Sequence, residues 1–502
     1  MEYIDLTPFD QEELDPTGKA RAHLRQYNAD RFTPSSPYYR VNITEDLDRW
    51  RIGPSNGGKH SFSDDYAKEM QSKVGPQGGT CKFEDLLRIL ETYYVTHDHC
   101  AIPRLLYRGR DYFIRYIKGC IDRYGYPQIM YKRVDGASAS LPSMAHKGEW
   151  LSEVYIGPYF RHPMANLPGI RKMRNKLRAI FLDPVRNVRY IEQELNAVKK
   201  WLVKYTPWFI GWENPILRLK PQITQNVDRN KYFVEWDYKS MDINMQFDNC
   251  VADIILPIYE TLIPGSYLSF ASFVEELYQQ PLYLGDRMLT GKHGTFSGQA
   301  ITNDFETIYT VILALGAALE IGQLNDLSLV AAMGDDATLA FSTYKNAEAA
   351  FNFAYEASNA IGMQIHPLGE KSAIRHSKTR FCRLSYYPGA VRNADGIILG
   401  SYPESLALNS IYNVEFSAPS EAIAAIADIQ RLDTLQGNPH FTQVVQYVAS
   451  KSTHKFAKTL INDPAAIQYV SSRDWWFKVY GMKWSPDSSP AVLTLQRSGF
   501  YK

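Results

Sequence analysis

The chain has 502 residues, 45% of them hydrophobic, enough to bury a large core and to form several subdomains. Its 55 basic and 54 acidic side chains nearly cancel, so a nucleic-acid partner would have to be gripped by local basic patches and not by overall charge. Five cysteines without a CxxC pair argue against a disulfide framework and for a reducing compartment; the acidic start MEYIDLTPFDQEELD lacks a signal-type apolar stretch, and the longest apolar run, VILALGAAL, ends at Glu320, so no membrane association is expected.

Residues 1–80 are polar and rich in turn formers (SNGGKHS, VGPQGGT), which predicts an extended arm with little core of its own. KFEDLLRILETYYV, from Lys82, has helical periodicity. His97, His99 and Cys100 in HDHC are zinc-ligand types, but no second ligand pair follows at finger spacing, so core or surface roles are the better reading. RKMRNKLRAIF, residues 171–181, carries Arg171, Lys172, Arg174, Lys176 and Arg178 with no acid among them. Arg174, Lys176 and Arg178 alternate, so on a strand they share one face, although an isolated cluster of this kind is usually a solvated charge run.

A second subdomain begins at KYFVEWD, an apolar, aromatic strand closed by Asp237, with Asp242 five residues on; taken alone, Asp237 reads equally well as a helix N-cap. From 232 to 400 the order strand, helices, helix, hairpin, helix, strand, hairpin predicts an α+β layout with helices against an antiparallel sheet. GKHGTFSGQAITNDFETIYT leads from a glycine-rich start into a helix whose Ile301, Phe305, Ile308, Ile312, Leu315 and Leu319 form an apolar stripe, leaving Thr302, Asn303 and Glu306 on or near another face. In AAMGDDATLAF, Asp335 and Asp336 stand side by side at a hairpin tip, which makes physical sense mainly if a cation sits there. MQIHPLGEKSAI then offers Lys371, and TRFCRLSYYPG a hairpin with Arg383. Beyond 400, SEAIAAIADIQRL, HFTQVVQYVASK and SRDWWFKVYG read as helices of a third subdomain.

Nucleotidyl transfer employs two metal ions roughly 4 Å apart, held by carboxylates from separate elements, and Asp237 is the third acid such a site needs beside Asp335 and Asp336. In their order, DYKSMD, TFSGQAITN and GDD resemble motifs A, B and C of viral RNA-dependent RNA polymerases. The spelling TFSGxxxTNxxET is most similar to double-stranded RNA viruses of the picobirnavirus type, with partitiviruses next, and identifiable motifs cover residues 170–400. The resemblance implies a right-hand polymerase, with the N-terminal arm and fingers at 1–231. The palm, an antiparallel sheet packed on helices, would span 232–400 with a fingers insertion near 262–295, and a helical thumb and tail 401–502.

For the site, the resemblance implies that Asp237 and Asp335 bridge two Mg²⁺ ions, with Mn²⁺ able to substitute, and that Asp336 supports them. Asp242, Ser297, Thr302 and Asn303 would read the ribose hydroxyls, with Gly298 in the same nucleotide site. A carboxylate beside an amide suits a 2′-OH, which both donates and accepts. Arg174, Lys176 and Arg178 would hold the triphosphate as motif F, Lys371 would protonate the leaving pyrophosphate as in motif D, and Arg383 would contact RNA from the motif E hairpin; SLPS at 140–143 is a short candidate for motif G. The implied function is template-directed RNA synthesis from ribonucleoside triphosphates, transcribing and replicating a viral RNA genome. Template and product duplex would be bound, a viral capsid protein would be a partner, and the location would be the virion interior and host cytoplasm.

Alternatives are a reverse transcriptase and a noncatalytic RNA-binding capsid-core protein. The first is disfavoured by Met333-Gly334-Asp335-Asp336 in place of a Tyr-x-Asp-Asp turn and by Asp242 where a bulky aromatic is expected; the second by the costly adjacent acids. The tail SPDSSPAVLTLQRSGFYK is too apolar at its end to be purely solvated. It is expected to dock, with Phe500 and Tyr501 near the central cavity and Arg497 on a carboxylate or phosphate, or else to pack on the outer thumb.

Overall fold

The computed structural model describes residues 1–28, 38, 73–75, 77, 81–95, 101–129, 165–173, 176–208, 215–414, 418, 420–471 and 484–500. In chain order the strands are β1 (Glu2–Asp5), β2 (Leu167–Met173), β3 (Lys176–Leu182), β4 (Tyr232–Trp236), β5 (Leu282–Tyr283), β6 (Arg287–Thr290), β7 (Leu329–Met333), β8 (Asp336–Phe341), β9 (Ala373–His376), β10 (Thr379–Phe381) and β11 (Leu384–Tyr386). The central sheet is antiparallel in the order β7-β8-β4-β9. β4, β7 and β8 are apolar at most positions because both faces are covered, and the two-residue period sorts their side chains between two cores, whereas the edge strand β9 carries Arg375 and His376 and is only partly buried. Val234, Trp236, Val330, Ala332, Ala337, Leu339 and Phe341 join the main core with the helices Thr302–Glu320 and Tyr344–Ala360. Phe233, Leu329, Ala331 and Ala340 face the other way, against the helix Pro215–Asp228 and the β10-β11 hairpin. Glu235 and Thr338 share this second face and are satisfied there: Glu235 accepts from Thr379, from the Arg380 backbone and from the guanidinium groups of Arg375 and Arg380, while Thr338 bonds Thr379 at 2.6 Å.

The helix Thr302–Glu320 is where expectation and structure part. An apolar stripe with a polar reverse face was expected, but every residue from Asp304 to Ala318 is buried. The polar positions are met by protein groups instead: Asp304 pairs with Lys199 at 2.9 Å, Thr307 Oγ1 accepts from the Gly334 N–H, and Thr310 bonds the Tyr238 hydroxyl. The helix Arg104–Tyr124 crosses it at a glycine contact, where a Cβ on Gly109 would lie 2.1 Å from the Ile312 carbonyl and one on Gly316 would lie 2.5 Å from that of Leu105.

The N-terminal residues also differ from the expected arm. β1 pairs with β6 in the order β1-β6-β5, and Leu14, Ala20, Leu24 and Tyr27 are buried with Leu86, Leu90, Tyr93, Phe181, Leu282 and Phe296. All four β1 side chains are exposed, so backbone pairing holds the strand and no apolar pattern announces it. Farther along, Gly75 N–H donates to Asn409 Oδ1 and Gln77 to the carbonyls of Asn409 and Asn413, tying this part of the chain to the C-terminal helices.

Those helices, from Glu404–Tyr412 to Pro490–Arg497, enclose a separate core. The tail docks on it: Ala491, Val492 and Leu495 are buried, Phe500 packs alongside, and Asp433 accepts from Trp484 Nε1, Ser489 Oγ and the Ala491 N–H. The cavity placement of Phe500 is therefore corrected, because an amphipathic last helix finds its apolar partner in the C-terminal core; Tyr501 lies outside the described residues. So do SRDWWFKVYG, SLPS and HDHC. No helix of the described residues is long and apolar enough to cross a membrane.

Candidate active site

Sheet register brings the first acids together. Trp236 of β4 pairs with Ala337 of β8, so Asp237, one residue on, faces Asp336, one residue back, across neighbouring strands. Asp237 caps no helix: its N–H donates to Ser372 Oγ and its carbonyl accepts from the His366 N–H. Met333 pairs with Asp336 and leaves Gly334 and Asp335 as the turn. Gly334 has φ +60, in the left-handed region that favours glycine. A Cβ there would lie 3.2 Å from Glu306 Oε2 and 3.3 Å from Asn303 Oδ1, so the turn rests on the polar end of the helix Thr302–Glu320.

Burial, then the charges of Asp237 and Asp242, hold the Asp335 carboxyl above the ordinary carboxylate range. Asp336 is raised by burial and by Asp335, with Arg383 and Arg380 opposing. Solvent nonetheless reaches both side chains. Beneath them Glu306 is buried, and burial followed by Asp335 and Asp242 pushes its carboxyl up. Lys371 Nζ lies 3.3 Å from Asp237 Oδ2; His366 Nε2 lies 3.7 Å from the same oxygen and its Nδ1 3.1 Å from Glu370. Among the described residues no three His, Cys, Asp or Glu side chains converge as metal ligands.

A second corner forms around Asp242. Ser240, at φ +55, turns the chain from β4 into the short helix Met241–Asn244. Asp242 Oδ1 accepts from the Ile243 N–H at 3.0 Å, and Oδ2 accepts from Ser297 Oγ and, at 2.8 Å, from Tyr93 OH. The loop bearing Ser297 is fixed by close backbone approach: Gly298, at φ +113, would set a Cβ 2.7 Å from the Phe181 carbonyl, and the Phe181 N–H donates to the Ser297 carbonyl. Thr302 Oγ1 donates to the Phe296 carbonyl within this loop, while Asn303 reaches toward Gly334. Asp242 and Ser297 are thus in direct contact, while Thr302 is turned to the Phe296 carbonyl and Asn303 to the Gly334 turn.

The same contact through Phe181 carries β3 to the site. Lys176 and Arg178 are exposed on one face of that strand, and the charge of Arg178 acts on Asp335; Arg174 lies outside the described residues. Arg383 stands at the β10-β11 tip, where it and Cys382 both have positive φ, and its charge acts on Asp336. Tyr93 and His366 escaped the sequence reading, and Glu306 was seen without a role. Glu306 had a signal, being one helical turn beyond Asn303; Tyr93 had none.

No family model and no curated protein matches the sequence. Solved structures do. The RNA-dependent RNA polymerase of a human picobirnavirus aligns over 99% of this chain and 100% of its own, with a TM-score of 0.74 and 14% identity. An insertion-loop deletion mutant of a human picobirnavirus polymerase aligns over the same shares, with a TM-score of 0.75 and 14% identity. This likeness agrees with the resemblance carried by the three motifs, and the chain has the fold of viral RNA-dependent RNA polymerases.

Proposed function

We propose that the protein is an RNA-directed RNA polymerase that copies an RNA template from ribonucleoside triphosphates for transcription and replication of a viral RNA genome. The observation that carries this reading is the meeting of Asp237 with the Asp335–Asp336 turn across β4 and β8, beside the Asp242–Ser297 corner. In this reading 1–231 serve as arm and fingers, 232–400 as palm and 401–502 as thumb. A capsid protein is the partner, and the work is done inside the virion and in the host cytoplasm.

The donor chemistry fits hard divalent cations. Asp237, Asp335 and Asp336 offer only carboxylate oxygens and repel one another, a cost that Mg²⁺ or Mn²⁺ would offset. Bound there, two such ions would supply Lewis-acid activation of the 3′-hydroxyl and charge stabilisation of the pyrophosphate. The residues do the rest. Lys176 and Arg178, with Arg174, attract and orient the triphosphate; Asp242, Thr302, Asn303 and Ser297, the last on a loop that Gly298 lets close on Phe181, receive the ribose; Arg383 steadies the RNA; and Lys371 gives its proton to the departing pyrophosphate.

The test is purified protein with a short RNA template, labelled UTP and Mg²⁺, and Asp335→Asn as control. Template-dependent product from the wild type alone is expected. No product from the wild type with either Mg²⁺ or Mn²⁺ would leave the noncatalytic RNA-binding reading in its place.

A further inference from the structure

Tyr93 belongs to none of the polymerase-like motifs and stands 149 residues before Asp242, yet its hydroxyl donates to Asp242 Oδ2 at 2.8 Å and lies 3.5 Å from Ser297 Oγ. We propose that Tyr93 is a positioning residue for sugar selection: it holds the Asp242 carboxylate in the one orientation that presents it to a 2′-hydroxyl. The inference rests on the polymerase reading and deepens it.

Three donors fix this carboxylate. Oδ1 accepts from the Ile243 N–H, and Oδ2 accepts from both Ser297 and Tyr93, which leaves the remaining capacity of Oδ1 for an incoming hydroxyl. Ser297 is held through its loop's contact with Phe181, and the tyrosine is held through its ring and its carbonyl. Its ring makes edge contacts with Phe181 and Phe296 at 5.0 and 5.7 Å, and those two rings stack on each other at 4.0 Å. Its carbonyl accepts from the Gly294 N–H at 2.8 Å. Gly294 in turn lies so close over Asp242 and Ile243 that a Cβ would meet the Ile243 carbonyl at 2.1 Å and that of Asp242 at 2.7 Å. The segment Thr92–Tyr94, the loop 293–297 and the Asp242 backbone therefore form one packed unit, and within it the Tyr93 hydroxyl lies closest to the Asp242 carboxylate, with Ser297 Oγ farther off. Burial and the Asp242 charge raise the phenol well above its ordinary range, so it is a donor at every working pH.

A nucleotide that lacks the 2′-hydroxyl makes no use of this orientation, so loss of the clamp should fall on ribonucleotides. Tyr93→Phe keeps the ring and deletes the donor. Steady-state kcat and KM for UTP and for dUTP on one RNA template should show the UTP preference falling roughly tenfold, mainly through a higher KM for UTP. In an Asp242→Ala background the same change should do nothing further, because the carboxylate it positions is gone. Tyr94→Phe is the control for a lost buried hydroxyl: Tyr94 bonds the Leu289 carbonyl at 3.2 Å, away from the carboxylate, and its loss should lower the thermal midpoint without moving sugar preference. An unchanged UTP/dUTP ratio in folded Tyr93→Phe, an equal loss on both nucleotides, or an additive effect with Asp242→Ala overturns the proposal. If Asp242→Ala shifts the ratio and Tyr93→Phe does not, the polymerase reading stands and the clamp falls; a wild type that makes no RNA overturns both.

Discussion

Replacing Gly334 by alanine separates the chemical role of the Gly-Asp-Asp turn from its structural one. At φ +60 a side chain costs about 1–2 kcal/mol of backbone strain. The new Cβ, 3.2 Å from Glu306 Oε2 and 3.3 Å from Asn303 Oδ1, is tighter than ordinary contact and must push both by a few tenths of an ångström. The combined cost, about 2 kcal/mol, is small against a domain stability of about 5–15 kcal/mol, so the protein should still fold. Asn303 and Glu306 would nevertheless move, and because a misplacement of about 1 Å can cost on the order of 100-fold in rate, a shift of this size should cost roughly tenfold. Gly322 provides the comparison, since it has φ +65 and a Cβ there would meet nothing within 4 Å. Gly322→Ala should show a similar fall in thermal midpoint with normal nucleotide incorporation. If Gly334→Ala incorporates UTP as fast as Gly322→Ala does, the turn does not seat Asn303 and Glu306 in the way argued.

Asp335→Asn and Asp237→Asn each delete one carboxylate at nearly constant volume, and should abolish incorporation while RNA binding survives; Mg²⁺ should raise the thermal midpoint of the wild type but not of Asp335→Asn, and a mutant that still makes RNA would remove these acids from the chemistry. Asn303→Ala and Asp242→Ala should lower discrimination between UTP and dUTP more than affinity for template, read by competitive incorporation and by template binding. Asp183 is buried, and burial pushes its carboxyl up to about 7 against the opposing bond from Asn187. Between pH 4 and 7 the folded chain keeps a proton that the unfolded chain has lost, so stability falls as pH rises through that window, by at most about 4 kcal/mol; urea midpoints at pH 5 and 8 should show this slope flattened in Asp183→Asn. Deleting 486–502 should lower the thermal midpoint by several degrees and weaken synthesis uniformly, since it uncovers the C-terminal core and strips Asp433 of Ser489 and the Ala491 N–H; altered initiation at unchanged stability would contradict the docking seen here.

The acids were legible where chemistry coincides with a local signal. Asp237 follows an apolar strand and Asp335 a turn glycine, and both signals lie within a few residues of the carboxylate. Contacts made at long range were not legible. No pattern in KFEDLLRILETYYV says that its second-last tyrosine reaches Asp242, because that contact is set by how the loop 293–297 lies over Asp242 and Ile243. β1 hid for another reason: a strand held by backbone pairing with all four side chains in solvent leaves no alternation to read. In Thr302–Glu320 the apolar stripe was real, but the period could not show that Lys199, Gly334 and Tyr238 would cover the polar side as well. Gly109 and Gly316 look like mild helix breakers in sequence, and only the crossing of their helices explains them.

The way each carboxylate is balanced fits the division of labour proposed for the site. Asp242 is met by three hydrogen-bond donors, so it is held in place with little need of a cation and is suited to a neutral partner such as a hydroxyl. Asp237 lies against Lys371, an ammonium on a turn that is half exposed and therefore able to leave. Burial and neighbouring acids raise both Asp335 and Asp336, with Arg178 opposing at the first and Arg383 at the second without outweighing that cost. Divalent cations held by Asp237, Asp335 and Asp336 would supply the positive charge that offsets their mutual repulsion. Lys371, half exposed beside Asp237, keeps the freedom to turn toward a bound triphosphate, which suits the proton-donor role proposed for it.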